Sequence, residues 1–316
     1  MSCELRRAVV IGYSGQLATA LRESLPAAGF DVVTLTRPHI DLLEPRGLAA
    51  AIQAARPAIV INAAAYTAVD QAEDDPDTAF AVNGTAAGVV SAAAAEAGCP
   101  VVHFSTDYVF DGSKTAPYWE DDSPVPLSVY GASKLAGEQA VAAANPCHVI
   151  LRTSWVCSPW GRNFVRTMLR LARERETICV VDDQHGAPTF ASDLASAVGV
   201  LAHTLIEAEG EPRLRGIFHI TNAGEATWCG FARAIMAAAN KRGMETAAVE
   251  AISTTYYPTK AHRPRFSRLA TEKIEQFYGI RLQHWQDGLE RCLDRLIPEV
   301  EMGRPQHVSS DEGDRT

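Results

Sequence analysis

Ala8-Val9-Val10-Ile11-Gly12-Tyr13-Ser14-Gly15-Gln16-Leu17-Ala18 is the stretch on which the fold turns. The apolar, largely β-branched run at 8–11 predicts a buried strand, and the apolar spacing over 17–25 predicts a helix. Gly12 to Gln16 is then the turn between them. Gly12 and Gly15 lie three apart, and Ala18 stands where a third glycine is common. Small residues there let the backbone approach a pyrophosphate seated on the helix N-terminus. The spacing departs from the plain G-x-G-x-x-G, so a tight turn without a ligand is the competing reading.

Outward from this unit, strands and helices alternate. Residues 31–36 read as a second strand that ends at Arg37. A basic residue at this place suits the 2′-phosphate of NADPH, although Arg37 reads equally as a solvated surface charge. Residues 49–55 read as a helix, 58–65 as a strand, 79–97 as an alanine-rich helix ended by Gly98, and 100–104 as the next strand. Further strands are expected at 149–155 and 217–221, and helices at 163–173, 193–205, 228–241 and 271–278. Residues 178–181 read as a strand, and 253–269 as a loop rich in cations. The expected fold class is α/β, a Rossmann-type doubly wound parallel sheet with a smaller interleaved α/β substrate-binding lobe. The dinucleotide domain is expected over 1–153 plus about 189–222, the substrate lobe over about 154–188 and 223–300, and a flexible tail over 301–316.

Chemistry enters between 102 and 134. Val102-His103-Phe104-Ser105-Thr106 reads as a strand, and Tyr130-Gly131-Ala132-Ser133-Lys134 places a phenol and an amine one helical turn apart, on one face. A phenol alone is a poor acid at neutral pH, and a neighbouring ammonium favours its ionised form. With a hydroxyl from Ser105 or Thr106, such a trio suits proton transfer to a carbonyl oxygen during hydride delivery. Taken alone, Tyr-x-x-x-Lys is more often a solvated helix face.

Composition narrows the classes. The 316 residues carry a formal charge of −9, and 47% are hydrophobic, which fits a globular protein with a sizeable core. No basic run exceeds the Arg6-Arg7 pair, so a nucleic-acid partner has no electrostatic footprint. The seven cysteines form no Cys-x-x-Cys pair and read as reduced thiols. No stretch has the roughly 20 consecutive apolar residues of a membrane span. A soluble, cytoplasmic protein without a membrane partner is expected. His185 and His219 lie too far apart for ligand spacing, so no metal site is expected.

Seven motifs, in order along most of the chain, carry a resemblance. They are Gly-x-x-Gly-Gln-Leu at 12–17, Asn62-Ala-Ala-Ala-Tyr-Thr-Ala-Val-Asp70, Ser105-Thr-Asp-Tyr-Val-Phe-Asp-Gly112, Tyr130-Gly-Ala-Ser-Lys134, Leu151-Arg-Thr-Ser-Trp-Val156, Asp183-Gln-His-Gly-Ala-Pro-Thr189 and Arg263-Pro-Arg-Phe-Ser-Arg-Leu269. Together they resemble the extended short-chain dehydrogenase/reductases, and within them the reductases of 4-keto dTDP-sugars. The resemblance implies that Tyr130 donates the proton. Lys134 would hold the nicotinamide ribose and lower the Tyr130 pKa, and Thr106 would assist at the same oxygen. It places Gly12, Gly15, Gln16 and Leu17 at the cofactor pyrophosphate, with Asp41 and Leu42 on the adenine side. Ala64, Ala65, Tyr66, Thr67 and Phe104 would line the cofactor cleft. Thr67, Val69, Thr106, Asp107 and Trp155 would face the sugar nucleotide, and Arg263 its phosphates. Trp155 also reads as an ordinary core aromatic.

The implied reaction is NADPH-dependent reduction of dTDP-4-dehydro-6-deoxy-L-mannose to dTDP-L-rhamnose. NADH as donor, a magnesium requirement and a homodimer are left open by the residues. Two alternatives are a 4-ketoreductase for another dTDP-deoxysugar and a non-catalytic NADP-binding regulatory subunit like that of methionine adenosyltransferase. Two departures from the family pattern stand out: Phe104 replaces a frequent tyrosine and Phe266 a frequent asparagine.

Overall fold

The computed structural model describes residues 6–302 apart from 39, 45–46 and 209–210. The expected tail over 301–316 lies almost wholly outside the described residues. A six-stranded sheet runs in the order Gly216–His219, β5 (His148–Thr153), β4 (Val101–Thr106), β3 (Ile59–Asn62), β1 (Arg6–Ile11), β2 (Phe30–Leu35). All five pairings are parallel. Strand order reverses between β1 and β3, and in such sheets ligands bind beyond the carboxyl ends of the strands at that reversal.

Alternate residues of each strand feed opposite faces, as the period of two demands. Ala8, Val10, Ile59, Ile61, Val102 and Val149 pack against helix α1 (Gln16–Ala27) and the helix Ala191–Glu207. Val9, Ile11, Val60, Val101 and Ile150 pack against Leu48 and Ile52 of one helix, Val90 of another and Val141 of Val129–Ala144. Both faces are therefore dry, which explains why these strands read as continuous apolar runs.

The alanine-rich helix begins at Pro76 and carries a π-helical turn over Ala81–Thr85 before continuing to Glu96. Its 21 residues are long and apolar enough to span a membrane by composition, yet half of that window is buried inside the protein. Small residues bring it close to the next helix. A Cβ on Gly137 would sit 2.1 Å from the Asn83 carbonyl, and one on Gly88 3.0 Å from the Ala140 side chain.

A second core gathers Val165, Leu169, Phe231, Ile235, Leu289 and Leu293 from the helices Phe164–Glu174, Trp228–Asn240 and Trp285–Met302. These cover a parallel pair, Thr177–Val181 with Ala248–Ile252. The structure adds elements beyond the expected pattern, among them the strand Ala248–Ile252, the helix from Trp285 and the short helix Val69–Ala72.

Candidate active site

A cleft of about 1100 Å³ opens beyond the carboxyl ends of β1, β3, β4 and β5. At one end lies the glycine turn. Gly12 has φ +110°, and Gly15 precedes α1 without any side-chain cap. The first N–H groups of the helix are thus left to face the cleft, a ready position for an anion. Gln16 and Leu17 line the same end. Arg37, Asp41 and Leu42 border it beyond β2, while Ala64, Ala65, Tyr66, Thr67 and Val69 border it beyond β3.

The floor is made by β4 and the helix Val129–Ala144. Strand β4 delivers Phe104, Ser105 and Thr106, and the helix delivers Tyr130 and Lys134 one turn apart. Ser128 caps that helix by accepting from the Gly131 N–H at 3.2 Å. Gly131 lets it seat closely, since a Cβ there would lie 2.2 Å from the Tyr108 carbonyl. The Thr106 hydroxyl meets the Tyr130 hydroxyl and lies 3.1 Å from Asp107 Oδ1.

Burial controls the protonation states of this floor. It pushes the Tyr130 hydroxyl up to about 12, the nearby Asp107 charge acting in the same direction and the Thr106 hydrogen bond opposing both. Burial pushes Lys134 down to about 8, with Glu138 partly offsetting it. Burial also raises Asp107 to about 7 against its hydrogen bonds from Ser267 and Thr106. The expected lowering of the Tyr130 pKa by Lys134 is therefore corrected in this state. Desolvation of the phenolate dominates, and the ammonium is turned elsewhere, donating to the Phe104 carbonyl at 2.6 Å and lying 3.4 Å from His103 Nε2. At neutral pH the phenol holds its proton and the lysine is charged, which is the loaded form for giving a proton to a carbonyl.

A buried polar frame fixes the lysine. His103 is fully buried, and burial followed by the Lys134 charge holds its pKa well below the usual imidazole range. Its Nδ1 lies 3.1 Å from the Asn62 side-chain amide. One turn beyond Lys134, Glu138 receives Arg152 in a two-pronged ion pair at 2.8 and 2.7 Å. Asn83 of the π-helical turn donates to Ser133 at 2.9 Å and accepts from the Tyr66 N–H at 2.8 Å.

Trp155 lines the cleft and takes a left-handed backbone at φ +46°. It is stacked on Trp228 with ring centroids 3.5 Å apart, and a Cβ on Gly186 would collide with it at 2.7 Å. The indole is thus a half-buried platform at the cleft as well as a packed aromatic. Arg263 stands apart from the residues lining the cleft. Its guanidinium donates to Asp70 at 2.6 and 3.2 Å, tying the cationic loop to the first lobe. Ser154, Gly161, Arg162, Asn163 and Trp228 also line the cleft, although no motif in the sequence singles out the last four.

The cleft fits a nicotinamide dinucleotide and a sugar nucleotide by its own polar atoms. Tyr66 Oη, Ser105 Oγ, Asp107 Oδ2 and Thr153 Oγ1 are buried, border the cleft and have no hydrogen-bond partner in the protein. Buried polar groups of this kind are costly unless a ligand meets them. Among the described residues, no group of three or more His, Cys, Asp or Glu side chains is placed to hold a metal ion.

Comparisons agree with this geometry. Residues 6–297 match the family model described as RmlD substrate binding domain. The chain is 46% identical over 293 residues to dTDP-4-dehydrorhamnose reductase of Sinorhizobium fredii, covering 93% of this chain and 98% of that one. It is 42% identical over 295 residues to the enzyme of the same name from Escherichia coli, covering 92% and 97%. A crystal structure of dTDP-4-dehydrorhamnose reductase from Bacillus anthracis in complex with NADP superposes with a TM-score of 0.85 at 36% identity, covering 92% of this chain and 99% of that one.

Proposed function

The chain belongs to the RmlD substrate binding domain family, and from that premise we propose that it is the NADPH-dependent reductase of the 4-keto group of dTDP-4-dehydro-6-deoxy-L-mannose. The product is dTDP-L-rhamnose, and the pathway served is dTDP-rhamnose biosynthesis. The observation that carries the reading is the meeting of Thr106, Tyr130 and Lys134 at the floor of one cleft whose far end is a glycine turn and a bare helix N-terminus.

The cofactor, when bound, supplies the hydride. The protein's own residues supply the proton and the placement. Tyr130, kept protonated by burial, gives its proton to the oxygen that was the 4-keto group. Thr106 holds the same oxygen by a hydrogen bond. Lys134, charged below about pH 8, would hold the ribose hydroxyls. Gly12, Gly15, Gln16 and Leu17 would hold the pyrophosphate, and Arg37 the 2′-phosphate. Asp107, Val69, Thr67 and Trp155 would face the sugar nucleotide.

The test is a panel of 4-keto dTDP-6-deoxysugars generated in the assay and followed by NADPH oxidation with product analysis. The highest kcat/KM is expected for dTDP-4-dehydrorhamnose, with dTDP-L-rhamnose as product. A higher kcat/KM for another deoxysugar would reassign the substrate, and no oxidation of NADPH with any of them would refute the reductase reading.

A further inference from the structure

The loop between Val156 and the helix Phe164–Glu174 carries a cation with no assigned task. Arg162 lines the cleft and makes no ion pair or hydrogen bond among the described residues. Its place is nevertheless tightly defined, because both chain neighbours rest on one residue of the first lobe. Gly161, at φ +67°, would put a Cβ 3.4 Å from Gln16 Cγ. Asn163 Nδ2 donates to Gln16 Oε1 at 2.9 Å. Gln16 is the first residue of α1, and its side chain also donates to the Val156 carbonyl at 3.2 Å and accepts from Ser158 at 2.8 Å. Asn163 in turn caps its own helix by accepting from the Arg166 N–H at 3.1 Å.

Three side-chain hydrogen bonds to Gln16 therefore brace the loop against the N-terminus of α1, and between Gly161 and Asn163 stands an arginine without a carboxylate. A loop needs no cation to keep this shape, since Gln16 and Asn163 already hold it. What the arginine adds is a positive fork bordering the same cleft as the uncapped N–H groups after Gly15. Two phosphates in that space would be met from one side by helix N–H groups and from the other by a guanidinium, whose paired donors match phosphate oxygens.

We propose that Arg162 is a binding residue for the pyrophosphate of the dinucleotide cofactor, contributed by the second lobe opposite the glycine turn. The inference rests on the reductase reading given above. Arg37, beyond β2, lies at the other end of the same turn and would serve the 2′-phosphate, so the two arginines divide the cofactor between them.

Dissociation constants for NADPH, NADH and dTDP on the full chain separate these roles, comparing wild type with Arg162→Ala, Arg162→Lys and Arg37→Ala by quenching of tryptophan fluorescence. Arg162→Ala is expected to weaken NADPH and NADH by the same factor, about tenfold, while dTDP binding stays as in wild type and Arg162→Lys recovers part of the loss. Arg37→Ala is expected to weaken NADPH alone. Loss of NADPH affinity without loss of NADH in Arg162→Ala would move the cation to the 2′-phosphate and overturn the proposal. Loss confined to dTDP would move it to the substrate, and no loss at all would make it a solvated surface charge. Wild-type protein that binds neither dinucleotide would fail the reductase reading itself, a result visible before any variant is compared.

Discussion

At the floor of the cleft, Lys134 is 2% exposed and its neighbours His103, Glu138 and Arg152 are each paired with another buried group. At the rim, Arg37 and Arg162 border the same cleft with no partner among the described residues, and away from the cleft Lys260 meets Asp74 with both side chains more than half exposed. The contrast separates two tasks. Chemistry needs fixed protonation states, which low-dielectric burial can set only where every polar group is satisfied or awaiting substrate. Recognition of phosphates needs cations that are held in place by the backbone yet uncommitted, because a cation already paired must break that pair to bind.

Breaking the floor should cost most. Tyr130→Phe is expected to lower kcat by about 10²- to 10⁴-fold, the usual worth of a placed general acid, with NADPH binding retained. Turnover near the wild-type value would remove Tyr130 from its role. Next comes the ion pair beneath Lys134. Arg152→Met leaves the Glu138 carboxylate buried and unpaired, so urea unfolding should show a loss of about 3–5 kcal/mol, partly recovered in Arg152→Met/Glu138→Leu. A loss as small as that of a surface pair would mean that water reaches this site. The smallest effect is expected at the exposed pair of Lys260 and Asp74, where Lys260→Ala should change stability by less than about 1 kcal/mol and by less still in high salt.

The same contrast governs what could be read from the chain. The turn at Gly12 to Gln16 and the spacing of Tyr130 and Lys134 are local signals, each complete within one turn of backbone. The sheet followed because its strands, buried on both faces, are unbroken apolar runs. The frame around Lys134 is not local. His103 is written as one more member of an apolar strand, and its contact with a lysine 31 residues away comes only from β4 lying beneath the helix. Arg162 reads as an ordinary residue ahead of a helix until Gln16, 147 residues before Asn163, pins the loop.

Two elements of the second lobe are obscured for other reasons. Ala248–Ile252 offers weak apolar alternation, with alanines and a glutamate on a mostly exposed strand. The helix from Trp285 does carry helical spacing at Trp285, Leu289, Leu293 and Leu296, but Gly288 and Pro298 interrupt the pattern. Gly288 is there for packing, since a Cβ would strike the Phe190 ring at 2.3 Å. Arg263 shows the converse: its motif suggested substrate phosphates, and the structure adds a pairing with Asp70 that the sequence did not reveal.

The pH dependence of kcat/KM for NADPH tests the central claim that burial sets the working charges of the floor, since this ratio reports groups of the enzyme before the cofactor binds. Lys134 has its folded pKa depressed to about 8, so its ammonium is present below that pH and lost above it. Tyr130, at about 12, stays protonated throughout the measurable range. A profile that falls by about tenfold per pH unit above pH 8 is predicted, separate from any step near pH 7 from Asp107, and Lys134→Met should abolish the limb above pH 8 together with most of the activity. A profile level to pH 10, falling only where an ordinary phenol or amine would titrate, would contradict the account.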